Sequence, residues 1–457
     1  MSFSSHSSAL TRALTAASLG AVLALPAVAC GQDTTSRNEG VSLRLGYDPY
    51  TKPGVLVTAI AGVGGDSIRA IVQRDLDYGD RVTVLPAGGE VVTSGSARVN
   101  YPLLAKIGAA AVVQSSVVPG GLRVVLHDVG GKRVIQRRTF RIPGTRDTPA
   151  WRLAVHDVAD EIERWITGTR GVAATRILYV KDGKVRVVDS DGENDRAVTT
   201  TGTTLSPTWH PNGRTIAYSV FGERGTQVMV RDLNSPTARR VTEAGAALNI
   251  TPAFSPDGSL LVYSHGEEEG SDLFATTLEG GLGRRVTVGR GTDNVSPSFS
   301  PDGRRLAFTS GRSGHPEVYI TDVDGTNAEL LTDFDFGDQS YRSNPDWSPD
   351  GRMIAFQSQV SGQGFQVMTI NLRDRSIKQH TSEGSNEDPS WAPDARHLVF
   401  TSTRSTGRQL YVLDTESGRL RQLTRGGGAR AGAWSPPLVR SVTASATAAA
   451  ERDAQPE

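Results

Sequence analysis

Apolar positions in the first third of the chain change period repeatedly. Gly54 to Ile60 is a short apolar run and reads as a strand. Asp66 then caps a helix whose Ile68, Ile71, Val72 and Leu76 share one face, with Gly79 as its stop. Arg81 to Leu85 reads as a second strand. Asn100, ahead of Tyr101-Pro102, opens a second helix. Ala109 to Val118, Gly121 to Val129 and Lys132 to Ile142 read as three strands, the last two forming a hairpin around Gly130-Gly131. Thr148-Pro149 starts the clearest helix, because Trp151, Val155, Val158, Ile162, Trp165 and Ile166 step by four and three. The pattern predicts a small α/β domain over residues 48–168 and a linker over 169–175.

Beyond Thr175 the chain repeats itself. Pro207-Thr208-Trp209, Pro252-Ala253-Phe254, Pro297-Ser298-Phe299, Pro345-Asp346-Trp347 and Pro389-Ser390-Trp391 recur at spacings of 45, 45, 48 and 44 residues, a period that belongs to propellers and solenoids. Each anchor runs into a tight turn such as Ser255-Pro256-Asp257-Gly258. An apolar strand follows, then a second, and a short last strand ends at Thr242, Thr287, Thr332, Thr381 or Thr424. Four strands per repeat is the count of a propeller blade. Arg176 to Val180, Lys184 to Val188 and Ala197 to Thr199 lack a first strand, whereas Ala433-Trp434-Ser435-Pro436 is a first strand with nothing after it. Joined, they make a sixth blade and remove the open edges of the ring. The expected fold is mixed: a small N-terminal α/β domain followed by a six-bladed all-β propeller over 176–438, closed by a C-terminal strand. The tail 439–457 is Ala/Ser/Thr-rich and expected to be disordered.

Residues 1–29 hold Arg12, no acidic residue, and an uncharged run ending in Ala27-Val28-Ala29, which reads as a secretory signal with its cleavage site. Cys30 follows directly. Ala27-Val28-Ala29-Cys30 is similar to a lipobox with Ala in place of the usual first Leu, so Cys30 is a lipidation candidate, and a chance Cys after an ordinary cut is the alternative. It is the only cysteine, which excludes an intramolecular disulfide. The 457 residues carry 49 Lys+Arg and 49 Asp+Glu, and this balance argues against a nucleic-acid-binding or strongly membrane-adsorbed protein.

The Pro-Asp-Gly turns recur at blade period, so a structural role outweighs a catalytic one for their carboxylates. Asp189 to Asn194 and Asp322 to Asn327 are similar to the start of a calcium loop but lack the spaced bidentate Glu, and a hairpin turn fits both better. The eight His show no metal-ligand spacing and no G-x-S-x-G elbow occurs, so no metal, cofactor or catalytic residue is assigned. One feature stands out. Asn249, Asn294, Arg342 and Asn386 each stand three residues before an anchor Pro, in loops that enter the inner strands at one end of the channel. They either offer a ring of hydrogen-bonding groups to a partner or cap these turns.

The join of His156 to Gly168 onto Thr175-Arg176-Ile177-Leu178-Tyr179-Val180, together with Leu104 to Val113, the Ser-Pro-Asp-Gly-like repeats and the terminal Ala433-Trp434-Ser435-Pro436, resembles the TolB family, periplasmic components of the Tol-Pal envelope system. The resemblance covers about residues 41 to 438. It implies a non-enzymatic, monomeric periplasmic adaptor that supports envelope integrity and outer-membrane constriction at division. Such an adaptor binds the peptidoglycan-associated lipoprotein Pal by its propeller and TolA by its N-terminal segment. Here that segment lies in residues 30–47, with Val41, Leu43, Leu45 and Tyr47 as alternating contacts suited to strand addition. Asn249, Asn294, Arg342 and Asn386 are the candidate Pal contacts. A periplasmic propeller hydrolase or ligand-binding lipoprotein is the alternative.

Overall fold

The computed structural model describes residues 52–86, 99–243, 245–281, 283–289, 292–332 and 340–438, all within one compact unit, Val41–Glu457. The signal segment, Cys30, Val41 to Tyr47 and the tail lie outside the described residues. Among the described residues no helix is long and apolar enough to cross a membrane.

Strands β1 (Gly54–Val57), β2 (Thr83–Val84), β3 (Ala109–Val118), β4 (Gly121–Asp128) and β5 (Arg133–Arg141) form one sheet in the order β2-β1-β3-β4-β5. β1 runs parallel to β2 and β3, and β3 to β5 form an antiparallel meander. Helices α1 (Gly65–Tyr78) and α3 (Pro149–Thr167) bring Ile68, Leu76, Val155 and Ile162 to one face, against Val55, Val113, Leu126 and Phe140. The short α2 (Tyr101–Lys106) places Leu104 on the other face with Leu56 and Val112. Asn100 Oδ1 accepts the Leu103 N–H at 3.2 Å and Thr148 Oγ1 accepts that of Trp151 at 3.4 Å, so both expected caps are present.

Asp66 is not a cap. The helix begins one residue earlier, behind Gly64 at φ 82°, and Asp66 sits in the first turn, where its charge favours the helix dipole. Gly79 ends α1 in a helical conformation, and Asp80 takes the left-handed turn at φ 54°. Glycine is needed at 79 for space, because a Cβ there would overlap the Glu163 carboxylate. The strand expected from Arg81 shrinks to Thr83–Val84 as Arg81 turns to Glu163 (3.2 Å) and Asp394 (3.0 Å).

From Arg176 onward every regular element among the described residues is a strand. β6 (Arg176–Lys181), β7 (Lys184–Asp189) and β8 (Arg196–Ala197) open the series. Two meanders follow: β9 (Thr204–Trp209), β10 (Thr215–Phe221), β11 (Thr226–Asp232), β12 (Arg239–Arg240), then β13 (Leu248–Phe254), β14 (Leu260–Glu267), β15 (Gly270–Thr277), β16 (Arg284–Arg285). The next is β17 (Asn294–Phe299), β18 (Arg305–Ser310), β19 (Glu317–Asp322), β20 (Glu329–Leu330). After it come β21 (Arg342–Trp347), β22 (Met353–Val360), β23 (Gly364–Asn371), β24 (Ile377–Gln379). Last are β25 (Asn386–Trp391), β26 (His397–Ser402), β27 (Gln409–Asp414), β28 (Leu420–Gln422) and the single strand β29 (Arg430–Trp434).

The arrangement is propeller-like. β17 to β20, β21 to β24 and β25 to β28 are four-stranded sheets, and β29-β6-β7-β8 is a fourth. The fifth sheet has eight strands where separate four-stranded blades are expected, because a parallel bridge between Thr226 and Leu248 joins β11 to β13. The cause is local: Thr226 Oγ1 donates to Asn249 O at 3.0 Å while Asn249 Nδ2 donates to Thr226 O at 2.9 Å.

The apolar core lies between neighbouring meanders. Trp209 packs with Val185 and Val187, Phe254 with Val228 and Val230, and Phe299 with Leu273 and Ala275. Trp347 packs with Val318 and Ile320, Trp391 with Val367, and Trp434 with Leu410 and Val412. The innermost strands β9, β13, β17, β21, β25 and β29 touch in that order, and β29 touches β9. β29 pairs antiparallel with β6, Trp434 opposite Ile177, and Trp434 Nε1 donates to Thr175 Oγ1 at 2.8 Å.

Each inner strand carries a bulge. The residue before the anchor position is left-handed in every case: Ser206 (φ 44°), Thr251 (49°), Ser296 (55°), Asn344 (54°), Asp388 (54°) and Ala431 (51°). Side chains of the preceding meander hold these strained amides: Thr309 Oγ1 accepts from Asn344 N at 3.1 Å, Gln357 Oε1 from Asp388 N at 2.9 Å and Thr401 Oγ1 from Ala431 N at 3.0 Å.

Trp434→Ala should destabilise the protein by about 3–5 kcal/mol, since it empties a shared core and leaves Thr175 without its donor. An unchanged urea midpoint would show that β29 does not hold the ring closed.

Candidate functional site

The four residues singled out before the anchor prolines lie where one meander meets the next. Three are fully used inside the fold. Asn249, Asn294 and Asn386 are 3%, 0% and 0% exposed, and their amides bond to Thr226, Asp272 and Gln366 of the preceding meander.

A repeated relay explains their positions. Thr199, Thr242, Thr287, Thr332, Thr381 and Thr424 each accept a backbone N–H from the third strand of their meander, at 2.9–3.1 Å. Four of these hydroxyls then donate to the side chain preceding that N–H. Thr287 Oγ1 meets Asp272 Oδ1 at 2.7 Å, Thr332 meets Glu317 Oε2 at 2.5 Å, Thr381 meets Gln366 Oε1 at 2.8 Å and Thr424 meets Gln409 Oε1 at 2.9 Å. The next inner strand supplies a second donor to the same group. Asn294 Nδ2 reaches Asp272 Oδ1 at 2.9 Å, Arg342 Nη1 reaches Glu317 Oε2 at 3.2 Å and Asn386 Nδ2 reaches Gln366 Oε1 at 2.8 Å. Arg312 and Arg404 close the other side, bonding Asn294 Oδ1 (3.1 Å) and Asn386 Oδ1 (3.0 Å) while lying over Phe308 and Tyr319 or Phe400 and Tyr411.

Arg342 is half-buried, and its partner Glu317 is 0% exposed, a carboxylate that Thr332, Ser340, His315 and Arg342 compensate. At Asn249 the relay opens onto a hollow of about 970 Å³ whose lining includes Glu243, Leu248, His265, Glu267, Glu268 and Glu269, with no lysine or arginine among the described residues that line it. His265 Nδ1 lies 2.8 Å from Asn249 Oδ1, and Leu248 is 51% exposed at its mouth.

The inner strands hold polar residues that the sequence reading passed over. Ser296 Oγ donates to Asn344 Oδ1 at 3.3 Å and Asn344 Nδ2 to Asp388 Oδ1 at 2.6 Å, linking three inner strands. Burial and the neighbouring Glu387 raise the Asp388 carboxyl, and burial pushes Asp346 up to about 6. The available signal was a polar residue before each anchor Pro.

The Pro-Asp-Gly turns are structural. Ser255, Ser300 and Ser348 accept the Leu260, Arg305 and Met353 N–H groups, each at 2.9 Å, and donate to Asp257, Asp302 and Asp350. Asp322–Asn327 is likewise a hairpin turn, Asn327 Nδ2 donating to Asp322 Oδ2 at 2.7 Å. Asp189–Asn194 folds the same way but does more. Its Asp191 enters the α/β domain, where Arg74, Arg152 (2.6 Å) and His156 (Nε2 3.6 Å) converge on Oδ2, while His156 Nδ1 meets Asp75 Oδ2 at 2.6 Å. Donor atoms of Asp75, His156 and Asp191 lie close enough to meet one cation. Two guanidinium groups already neutralise Asp191, so the donor set suits an ion-paired lock better than a metal. Burial disfavours the charged imidazole, but Asp75, Asp191 and Asp189 more than offset this and raise His156 above its ordinary value.

Further ion pairs extend the lock. Arg81 joins Asp394, Arg396, which also pairs with Asp414 beside it, donates to Asp80 O at 3.1 Å, and Arg419 joins Asp77 (2.7 Å) and Asp80 (3.2 Å). The α/β domain is thus held by turns between first and second strands and between third and fourth strands. In an antiparallel meander those turns share one end, and the relay and the hollow lie at the other.

The sequence profile of the TolB beta propeller domain matches residues 163–438. The Tol-Pal system protein TolB of Bordetella avium (strain 197N) is 34% identical over 190 residues, 38% of this chain and 42% of that protein. Its namesake in Haemophilus influenzae (strain PittGG) is 29% identical over 233 residues, 41% of this chain and 53% of that protein. The matches therefore span about half the length of these curated relatives. The crystal structure of TolB from Acinetobacter baumannii has a TM-score of 0.74 at 24% identity, covering 84% of this chain and 97% of that one, a likeness of fold.

Two predictions follow from the buried charges. Arg342→Ala should cost about 3–5 kcal/mol by stranding Glu317, whereas Arg342→Asn with Glu317→Gln, which copies the Asn386–Gln366 pair, should cost less than about 1.5 kcal/mol. Equal losses in denaturant melts would show that the relay is not what Arg342 supports. His156→Gln should be most destabilising at low pH. A folded-state value raised above about 6.5 contributes stability that is present below that pH and lost as pH rises through the folded value, so the gap to the parent should narrow from pH 6 to pH 9. A gap independent of pH would mean that the imidazole acts only by packing.

Proposed function

Because this chain belongs to the TolB beta propeller domain family, we propose that it is a non-enzymatic periplasmic adaptor of the Tol-Pal system, binding Pal through its propeller and TolA through Val41 to Tyr47. The propeller has six blades in this reading, the eight-stranded sheet counting as two blades bridged at Thr226. The observation that carries the proposal is the division of the two ends. Ion pairs tie one end to the α/β domain, while the relay end bears a wide hollow with exposed Leu248 beside Glu243 and Glu267 to Glu269. Apolar area rimmed by charge suits a protein partner. Asn249, Asn294, Arg342 and Asn386 act there by holding the loops in place, and contact with Pal falls to the groups around them. Cys30 is the candidate lipid acceptor, and the protein works as a monomer in support of envelope integrity and division.

Titration of Pal against the full chain carrying Glu267→Gln, Glu268→Gln and Glu269→Gln tests this. These residues are at the surface, so melting should not change, and Pal affinity should fall at least tenfold, as expected from about 1.4 kcal/mol of lost interaction. Unchanged affinity in the folded variant would remove this hollow from the Pal interface.

A further inference from the structure

The β4–β5 hairpin is strongly basic: residues 121–141 hold six Lys or Arg and one acidic residue, Asp128. Register sorts these charges by face. Arg123 stands opposite Thr139, Val125 opposite Arg137 and Gly121 opposite Arg141, so Arg123, Arg137 and Arg141 project from one face of the sheet. Leu122, Val124, Leu126 and Phe140 occupy the other face, under α1 and α3. Arg138 also points there and pairs with Glu161 at 3.3 Å.

The described residues cover only part of the outer face. Through Leu104, α2 reaches Leu56 and Val112 at the β1–β3 side. Next to it lies a hollow of about 680 Å³ whose lining includes Asn100, Tyr101, Gln114, His127 and Lys132. Tyr101 Oη and Gln114 Oε1 each lie 3.0 Å from a nitrogen of His127, which fixes the floor of that hollow. Beyond it, Arg123, Arg137 and Arg141 are exposed, and among the described residues no carboxylate pairs with them or with Lys132.

We propose that this outer sheet face docks on an anionic bilayer surface, with an acidic headgroup entering the hollow beside Lys132. Charge complementarity carries the choice of an anionic occupant, and shape selects a bilayer. The three guanidinium groups stand on one sheet face at two-residue multiples, and among the described residues no groove walls rise around them to enclose a peptide. Strand addition would use the free backbone edge of β5, whereas these side chains project across the face. Each Arg held near an anionic bilayer contributes on the order of 1 kcal/mol, so three make a reversible contact rather than an anchor.

The test uses the full chain with Cys30→Ser, which removes any acyl contribution. It should co-sediment with vesicles of phosphatidylcholine containing phosphatidylglycerol but not with phosphatidylcholine alone, and added salt should release it. Arg123→Gln/Arg137→Gln/Arg141→Gln should lower partitioning roughly 100-fold at an unchanged melting temperature. Arg214→Gln/Arg239→Gln/Arg240→Gln, with the same net charge but changed on the propeller, should bind like the parent. Equal binding to both vesicle types, equal losses in the two triple variants, or Arg-dependent binding to polyglutamate that exceeds binding to vesicles would each overturn the proposal, the last by assigning the face to an acidic protein. Pal titration reads the other domain, so this result and the adaptor reading fail independently.

Discussion

Pairing between β29 and β6 is the contact on which the rest of the propeller depends, because no apolar core belongs to a single meander. Trp434 arrives from the far end of the chain to cover Leu410 and Val412 on one side and Ile177 on the other. Without it, the last complete meander would expose one face and the first strands would lack an inner neighbour. Every other anchor repeats this logic with a residue nearby in sequence, and only here does closure join strands from opposite ends.

The relay adds a polar counterpart to that apolar ring. A Thr hydroxyl, a carboxyl or amide from the third strand and an Asn or Arg from the next inner strand tie the same junctions that the aromatic anchors fill. Asp272–Asn294, Glu317–Arg342 and Gln366–Asn386 do one job with three charge states. What must be kept is a donor to a buried acceptor, since an unsatisfied buried group costs more than the bond contributes.

The two ends of the propeller divide the work. At one, Asp191, Asp394, Arg396 and Arg419 make buried or half-buried polar contacts that fix the α/β domain, and these charges are compensated at close range. At the other, carboxylates and Leu248 face an open hollow. The α/β domain presents the opposite sign on its outer face, so a chain with balanced total charge carries one acidic hollow and one basic sheet face.

The sequence by itself determined the strands, their grouping by anchors and the match between Ala433-Trp434 and the strand from Arg176, because each is written in local alternation and in a period of about 45 residues. It also determined the Thr148 and Asn100 caps and the structural role of the Pro-Asp-Gly turns, which depend on neighbours within a few positions. Tertiary structure alone decided what covers each face. Asn294 and Asn386 look like surface loop residues in sequence, and only the approach of Asp272 and Gln366 from the preceding meander buries them. Asp191 looks like part of a solvated turn, and Arg74, Arg152 and His156, more than 30 residues away, make it the centre of the domain lock. Alternation tells which side chains share a face, but which faces meet depends on how distant segments pack, and no local pattern records that.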